Sequence, residues 1–433
     1  MDALWQLPVI AGPVPWIVYA IAIALVVVLL TRAVTPRWML SAVIGIAGGA
    51  IVGVGVYLLA NAVDAFGSPL PLAVGLWAGA ALAGVGLAIA SLWHSAVWRK
   101  IVAVFAIIWF LITGVVGVNA FYGLNPTLGS IFGISASNPI VIPTPGPTPE
   151  PSETSAGPLY ETWNPPAGMP ATGQQGNQEI PGTVSGFQAR PAGIYLPPAA
   201  LVPDPPALPL VILMMGYPGN PDQSYIAAIL DGFAADHRGL APIVVVADQI
   251  GNGGDPACAD SAVFGNAETY IKTDVVNWAR TNLHVLQDPE YWVIAGYSNG
   301  GGCAIKYGAE EPDVFKNILD ISGEEFPGSE DPGEVIAQVY GGDDAAFEAT
   351  KPVSILAANT GAYTGVTAVF TAGGNDPEYL AAAATVADAA ITAGMSVTLY
   401  TVPGAGHVVD ALNGGLQEGF TVLYPVLGLS APQ

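Results

Sequence analysis

The chain has 433 residues, of which 52% are hydrophobic and only 10% charged, and its formal charge at pH 7 is −23. So few charges over so long a chain exclude an ordinary soluble protein, unless the apolar residues are gathered in one part. The acidic balance argues against a nucleic-acid partner, because phosphates require a basic surface.

The excess lies in the first third, where residues 1–133 carry six charged side chains: Asp2, Arg32, Arg37, Asp64, Arg99 and Lys100. This region contains four apolar stretches, 14–31, 39–60, 70–93 and 101–122, each long enough as a helix to cross about 30 Å of hydrocarbon. The first lacks a preceding basic segment and a cleavage site, so it reads as a span rather than a signal peptide. Basic residues occur only after the first span (Arg32, Arg37) and after the third (Arg99, Lys100). The positive-inside bias assigns those connections to the cytoplasm, so everything after residue 122 is expected outside the cell membrane. Small-residue runs at Gly45–Gly49 and Gly79–Gly84 suit close helix packing. The spans lack the ionisable groups of a transport path; they are expected to anchor.

Residues 134–177 are rich in Pro, Ser, Thr and Gly, with prolines at 139, 143, 145, 147, 149 and 151. They read as an extended spacer, either a plain tether or a segment threading a cell-wall layer. Residues 134–433 hold 7 Lys+Arg against 32 Asp+Glu, a formal charge of −25 that serves solubility.

From 178 to 433 short apolar runs alternate with helical patterns. Strands are expected at Thr183–Leu196, Pro209–Met215, Pro242–Ala247, Tyr291–Gly296, Asn317–Ile321, Thr367–Ala372 and Ser396–Val402. Helices are expected at Gln223–Asp236, Ala267–Leu283, Gly300–Gly308 and Pro377–Ala393. Such alternation implies an α/β domain, a mostly parallel sheet with helices on both faces and its site at the carboxyl ends of strands.

Gly296, Ser298 and Gly300 form a G-x-S-x-G pattern between an apolar strand and a helix. This is the context of a nucleophile elbow, which exposes a serine hydroxyl above the sheet beside a helix N-terminus. A serine needs an imidazole to take its proton, and in this fold the order is Ser, acid, His. Of four histidines, His94 lies in the membrane region and His237 and His284 precede the serine, which leaves His407, in a Gly-rich loop after a strand. The acid that orients it is expected to be Asp376, with Glu378 and then Asp320 as alternatives. The oxyanion needs two backbone N–H donors: Asn299 supplies one, and the loop Met215–Gly219 the other, through Tyr217. Pro218 has no N–H to give.

Cys258 and Cys303 are the two cysteines. Placed outside the cell, they are expected to pair and so to pin the helix after Ser298 to the loop at 250–262, a stabilisation of roughly 2–4 kcal/mol. No His/Cys grouping has metal-ligand spacing. The Asp/Asn/Gly-rich stretch Asp248–Asp260 reads as a solvated loop rather than a calcium site; neither metal nor cofactor is expected.

The segments Gly182–Phe187, Met215–Gly219, Asn266–Tyr270, the elbow through Gly302-Cys303, and Asp320–Gly323 together resemble the putative-esterase branch of the α/β-hydrolases. This branch includes esterase D-like enzymes and actinobacterial mycolyltransferases. The resemblance runs from about residue 163 to the C-terminus, and the four-span front end is similar to that of membrane-tethered actinobacterial members. It implies the α/β-hydrolase fold and carries the family's nucleophile, acid and base onto Ser298, Asp376 and His407. One departure is Met215-Gly216, where the family has His-Gly or Asp-Gly: the backbone donor survives, a polar substrate contact does not. The expected function is hydrolysis of a small-molecule or lipid carboxylic ester through an acyl-enzyme. Alternatives are acyl transfer to a cell-envelope sugar and a non-catalytic envelope-binding module.

Overall fold

The computed structural model describes residues 2–32, 35–63, 69–93, 95–132, 138–142, 157–251 and 254–432. It divides into two compact units, Met1–Ala136 and Ser137–Gln433.

The first unit is built on four helices, Pro13–Leu30, Pro36–Ala62, Leu72–Ala90 and Val97–Tyr122, each long and apolar enough to cross a membrane. The second starts where Thr35 caps the Trp38 N–H and Pro36 occupies the first helical position, where its missing N–H costs nothing. Its Gly45–Gly49 run lies against the third helix so closely that a Cβ on Gly49 would stand 1.9 Å from the Leu82 carbonyl oxygen. Dispersion between touching backbones holds such a pair where no hydrophobic effect operates. Arg32 Nη1 donates to Ser95 Oγ at 3.0 Å, and Arg99 donates to the carbonyls of Val28 and Thr31. The two basic connections therefore share one end of the bundle. Asp64 and His94 lie outside the described residues.

The second unit contains one eight-stranded sheet: β1 Gln174–Gln178, β2 Ala192–Leu196, β3 Leu210–Met214, β4 Ile243–Ala247, β5 Trp292–Tyr297, β6 Asn317–Ile321, β7 Thr367–Gly373 and β8 Ser396–Val402. Their spatial order is β1-β2-β4-β3-β5-β6-β7-β8. The β1–β2 and β2–β4 pairs are antiparallel and the rest parallel, which is the expected α/β-hydrolase arrangement. Every residue of β2 to β6 is buried, as required of strands covered on both faces. One cover is the helix Asn299–Glu310, where Gly308 lies over Ile294 and Ile318; on the opposite face the helix Val409–Val426 meets Leu319 and Ile321.

Several elements differ from expectation, among them the helices Pro332–Gln338, Asp344–Ala349 and Pro352–Ala358, which no expected helix covers. The run Thr183–Leu196 is strand only over its last five residues, because the carboxylate of Asp274 accepts bonds from Thr183 Oγ1, Val184 N and Ser185 N and folds the first part into a turn. The expected spacer is only partly one. Residues 134–137 and 143–156 lie outside the described residues, but Leu159–Thr162 is helical and β1 belongs to the sheet. Moreover, Asn177 N donates to Asn138 O at 2.7 Å and Ile140 N to Asn177 O at 3.2 Å, so the chain at 138–140 lies along the outer edge of β1. The long helix Val409–Val426 has no counterpart in the sequence reading.

Candidate active site

Ser298 stands between β5 and the helix Asn299–Glu310 with φ 57° and ψ −122°. This left-handed backbone turns the chain within one residue and lifts the hydroxyl out of the sheet. The bend requires glycine on both sides: a Cβ on Gly296 would lie 1.8 Å from the Gly300 carbonyl oxygen, and one on Gly300 would lie 2.2 Å from that of Met214. Ser298 N donates to Ile321 O at 2.9 Å, tying the bend to β6.

The structure brings Ser298, His407 and Asp376 together from the ends of β5, β8 and β7. His407 Nδ1 lies 3.0 Å from Asp376 Oδ2, and His407 Nε2 lies 2.8 Å from Ser298 Oγ. A carboxylate can only accept, so Nδ1 carries the proton and Nε2 presents its lone pair to the serine hydroxyl. The imidazole lies between two tyrosine rings, with centroids 3.9 Å away for Tyr379 and 5.3 Å for Tyr297. Tyr379 is fixed in turn by its hydroxyl, which donates to Glu330 Oε1 at 2.7 Å. Burial, reinforced by Glu330, pushes the Tyr379 phenol far above its ordinary range, so it stays a donor. Neither tyrosine was singled out in the sequence, although each sits within three residues of a named one.

The alternative acids lie elsewhere. Glu378 is exposed on the first turn of the helix Pro377–Ala393. Asp320 is sealed beneath the bend, where Gly301 and Gly323 leave room for its carboxyl. Burial pushes its pKa up to about 7, and Oδ1 has no hydrogen-bond partner among the described residues. His237 packs on Tyr424, and His284 is held neutral by burial.

Asn299, 1% exposed, opens the helix with its N–H beside Ser298. The loop after β3 passes against the serine, since a Cβ on Gly216 would lie 3.6 Å from Ser298 Oγ. Tyr217 follows it with its ring half exposed. Cys258 and Cys303 form a disulfide, which joins the helix Asn299–Glu310 to the loop before Asp260. In that loop Asp248 is taken by Arg190, Asp255 by Asn299 and Asp260 by Thr269, all protein donors. Positioned in this way, an uncharged nucleophile, a base with its lone pair aimed and amide donors at a helix start can together carry out acyl transfer.

Residues 188–416 match the family model described as "Putative esterase". An uncharacterized protein of Corynebacterium glutamicum is 38% identical over 234 residues, 52% of this chain and 54% of that one, so the chain spans about half the length of the curated relative it matches. Among solved structures, a ferulic acid esterase superposes with TM-score 0.52 and 18% identity over 59% of this chain and 99% of its own. An S-formylglutathione hydrolase from Agrobacterium tumefaciens gives TM-score 0.48 and 15% identity over 60% and 97%.

Proposed function

The chain belongs to the "Putative esterase" family, and from that premise we propose that it is a membrane-anchored hydrolase of carboxylic esters, acting outside the cell with Ser298 as nucleophile. The observation that carries the proposal is the 2.8 Å contact from Ser298 Oγ to His407 Nε2, backed by Asp376 at 3.0 Å. As Ser298 Oγ attacks the ester carbonyl, His407 takes its proton and Asp376 stabilises the imidazolium. The N–H groups of Asn299 and Tyr217 receive the oxyanion. His407 then protonates the departing alcohol, and a water activated by the same imidazole releases the acid from Ser298. The substrate is a small-molecule or lipid ester.

Anchoring is supported by the four apolar helices. The outside location draws on two separate features: the basic connections gathered at one end of the bundle, and the Cys258–Cys303 disulfide, a bond that persists in oxidising compartments.

A fluorophosphonate probe is expected to label the full chain, and Ser298→Ala to abolish labelling together with hydrolysis of a p-nitrophenyl ester. Continued labelling of that variant would refute the assignment. With trehalose supplied as acceptor, free acid is the expected product; a predominance of sugar ester would replace hydrolysis by transfer.

A further inference from the structure

Two loops bring backbone amides to Ser298, and one buried side chain joins them. Gln249, two residues beyond β4 and 2% exposed, donates from Nε2 to Met215 O at 2.5 Å and to Asn299 Oδ1 at 3.1 Å. Asn299 Nδ2 in turn donates to Asp255 Oδ1 at 3.2 Å and Oδ2 at 3.0 Å. Acceptors stand at both ends of this chain, a carbonyl and a carboxylate, so only one orientation of each amide satisfies every bond.

The strut is itself held. Arg190 grips Asp248, the residue before Gln249, with Nη2 at 2.6 Å from Oδ1 and Nε at 3.1 Å from Oδ2. The same guanidinium donates through Nη1 to Gly219 O at 2.9 Å and Asn220 Oδ1 at 3.1 Å, across the turn that contains Tyr217. Because a peptide unit is planar, fixing the Met215 carbonyl fixes the Met215–Gly216 plane and with it the start of that turn. Fixing the Asn299 side chain at both of its ends likewise fixes the backbone that carries its N–H.

We infer that Gln249 is a positioning residue: by holding the Met215–Gly216 peptide and the Asn299 side chain together, it sets the spacing of the two amide donors that receive the ester oxyanion. This rests on the reading of Ser298 as the nucleophile. A donor pair contributes to the rate only when aimed at the place where charge develops, and an error of about 1 Å is enough to lose a factor of roughly 100.

The test uses the detergent-solubilised full chain, with active sites counted by fluorophosphonate titration. Gln249→Met removes the donor at nearly constant volume. Its kcat per titrated site is expected to fall roughly 10- to 100-fold with KM within about 2-fold. The Ki of an aryl boronic acid, which forms a tetrahedral adduct on the serine, should rise by the same factor. Asn299→Ala severs the chain at its other bond and should lose a similar factor, and the double variant should lose no more than the worse single one. Unchanged kcat and boronate affinity beside a lowered Tm would reduce Gln249 to a structural role and overturn the inference, as would a double-variant loss equal to the product of the singles. Should Gln249→Met fail to fold, Asn299→Ala alone decides: kcat retained there overturns the strut. Absence of probe on Ser298 in the unaltered protein would instead count against the nucleophile reading.

Discussion

Ser298 holds a backbone conformation that L-residues rarely adopt, with φ 57°, at a cost of order 1–3 kcal/mol. Ser298→Gly removes that strain along with the proposed nucleophile. A calorimetric Tm above that of the unaltered protein is therefore expected, with probe labelling lost; an unchanged or lower Tm would show the bend to be unstrained. Asp320 gives the second expectation at this scale. Its folded pKa, pushed up to about 7 by burial, lies above the usual carboxylate value, so between about pH 4 and 7 the folded state holds a proton that the unfolded chain releases. Stability from this group is present at acid pH and is lost as pH rises through 7, and Glu324, pushed up to about 8 by burial and by Asp255, acts in the same sense. Asp320→Asn is expected to remove part of this decline, giving a higher Tm at pH 8 but little change at pH 5. An equal effect at both values would overturn it. The meeting of Ser298, Asp376 and His407 could be read from the sequence because each follows an apolar strand and a turn. Gln249, Asp255 and Tyr379 could not, since a buried polar residue looks like a solvated loop residue until its partners are known.

At the scale of elements, the helix Asn299–Glu310 is fastened outside the sheet by one covalent and one ionic tie, in addition to its hydrogen bonds. One fastening is the disulfide at Cys303, the other Lys306, whose buried ammonium meets Glu268 at 2.9 Å and Glu310 at 3.0 Å. Lys272, on the π-helical segment Tyr270–Val275, shares both carboxylates at 3.1 and 3.0 Å and also reaches Glu311. The disulfide spans 45 residues, so reduction frees an unfolded loop worth roughly 2–4 kcal/mol in chain entropy. For a domain of this size that corresponds to a Tm drop of roughly 5 °C. A scan with and without reductant checks this, and a drop under about 2 °C would assign the stability to the ion pairs instead. Most strands and helices were legible because their apolar periods match one geometry. Two of the exceptions have clear physical reasons. β1, Gln174–Gln178, is an edge strand of polar residues with no apolar alternation to reveal it, and the helix Val409–Val426 is interrupted by Gly414, Gly415 and Gly419. The sequence shows those glycines as helix breakers, whereas on the sheet Gly419 lies directly over Leu319.

For the whole molecule, the charge distribution makes sidedness testable. A membrane-impermeant fluorophosphonate is expected to label Ser298 on intact cells as fully as after lysis; labelling that appears only on lysis would turn the molecule around. The segment 138–140 laid along β1 has a separate consequence. The Gln and Asn side chains of β1 sit on the rim of the sheet, the composition from which self-stacking ladders are built. By occupying the free backbone groups of Asn177, the segment 138–140 takes up edge positions that a strand of another molecule would need, so a version trimmed to begin at residue 157 is expected to self-associate more readily while keeping every group around Ser298.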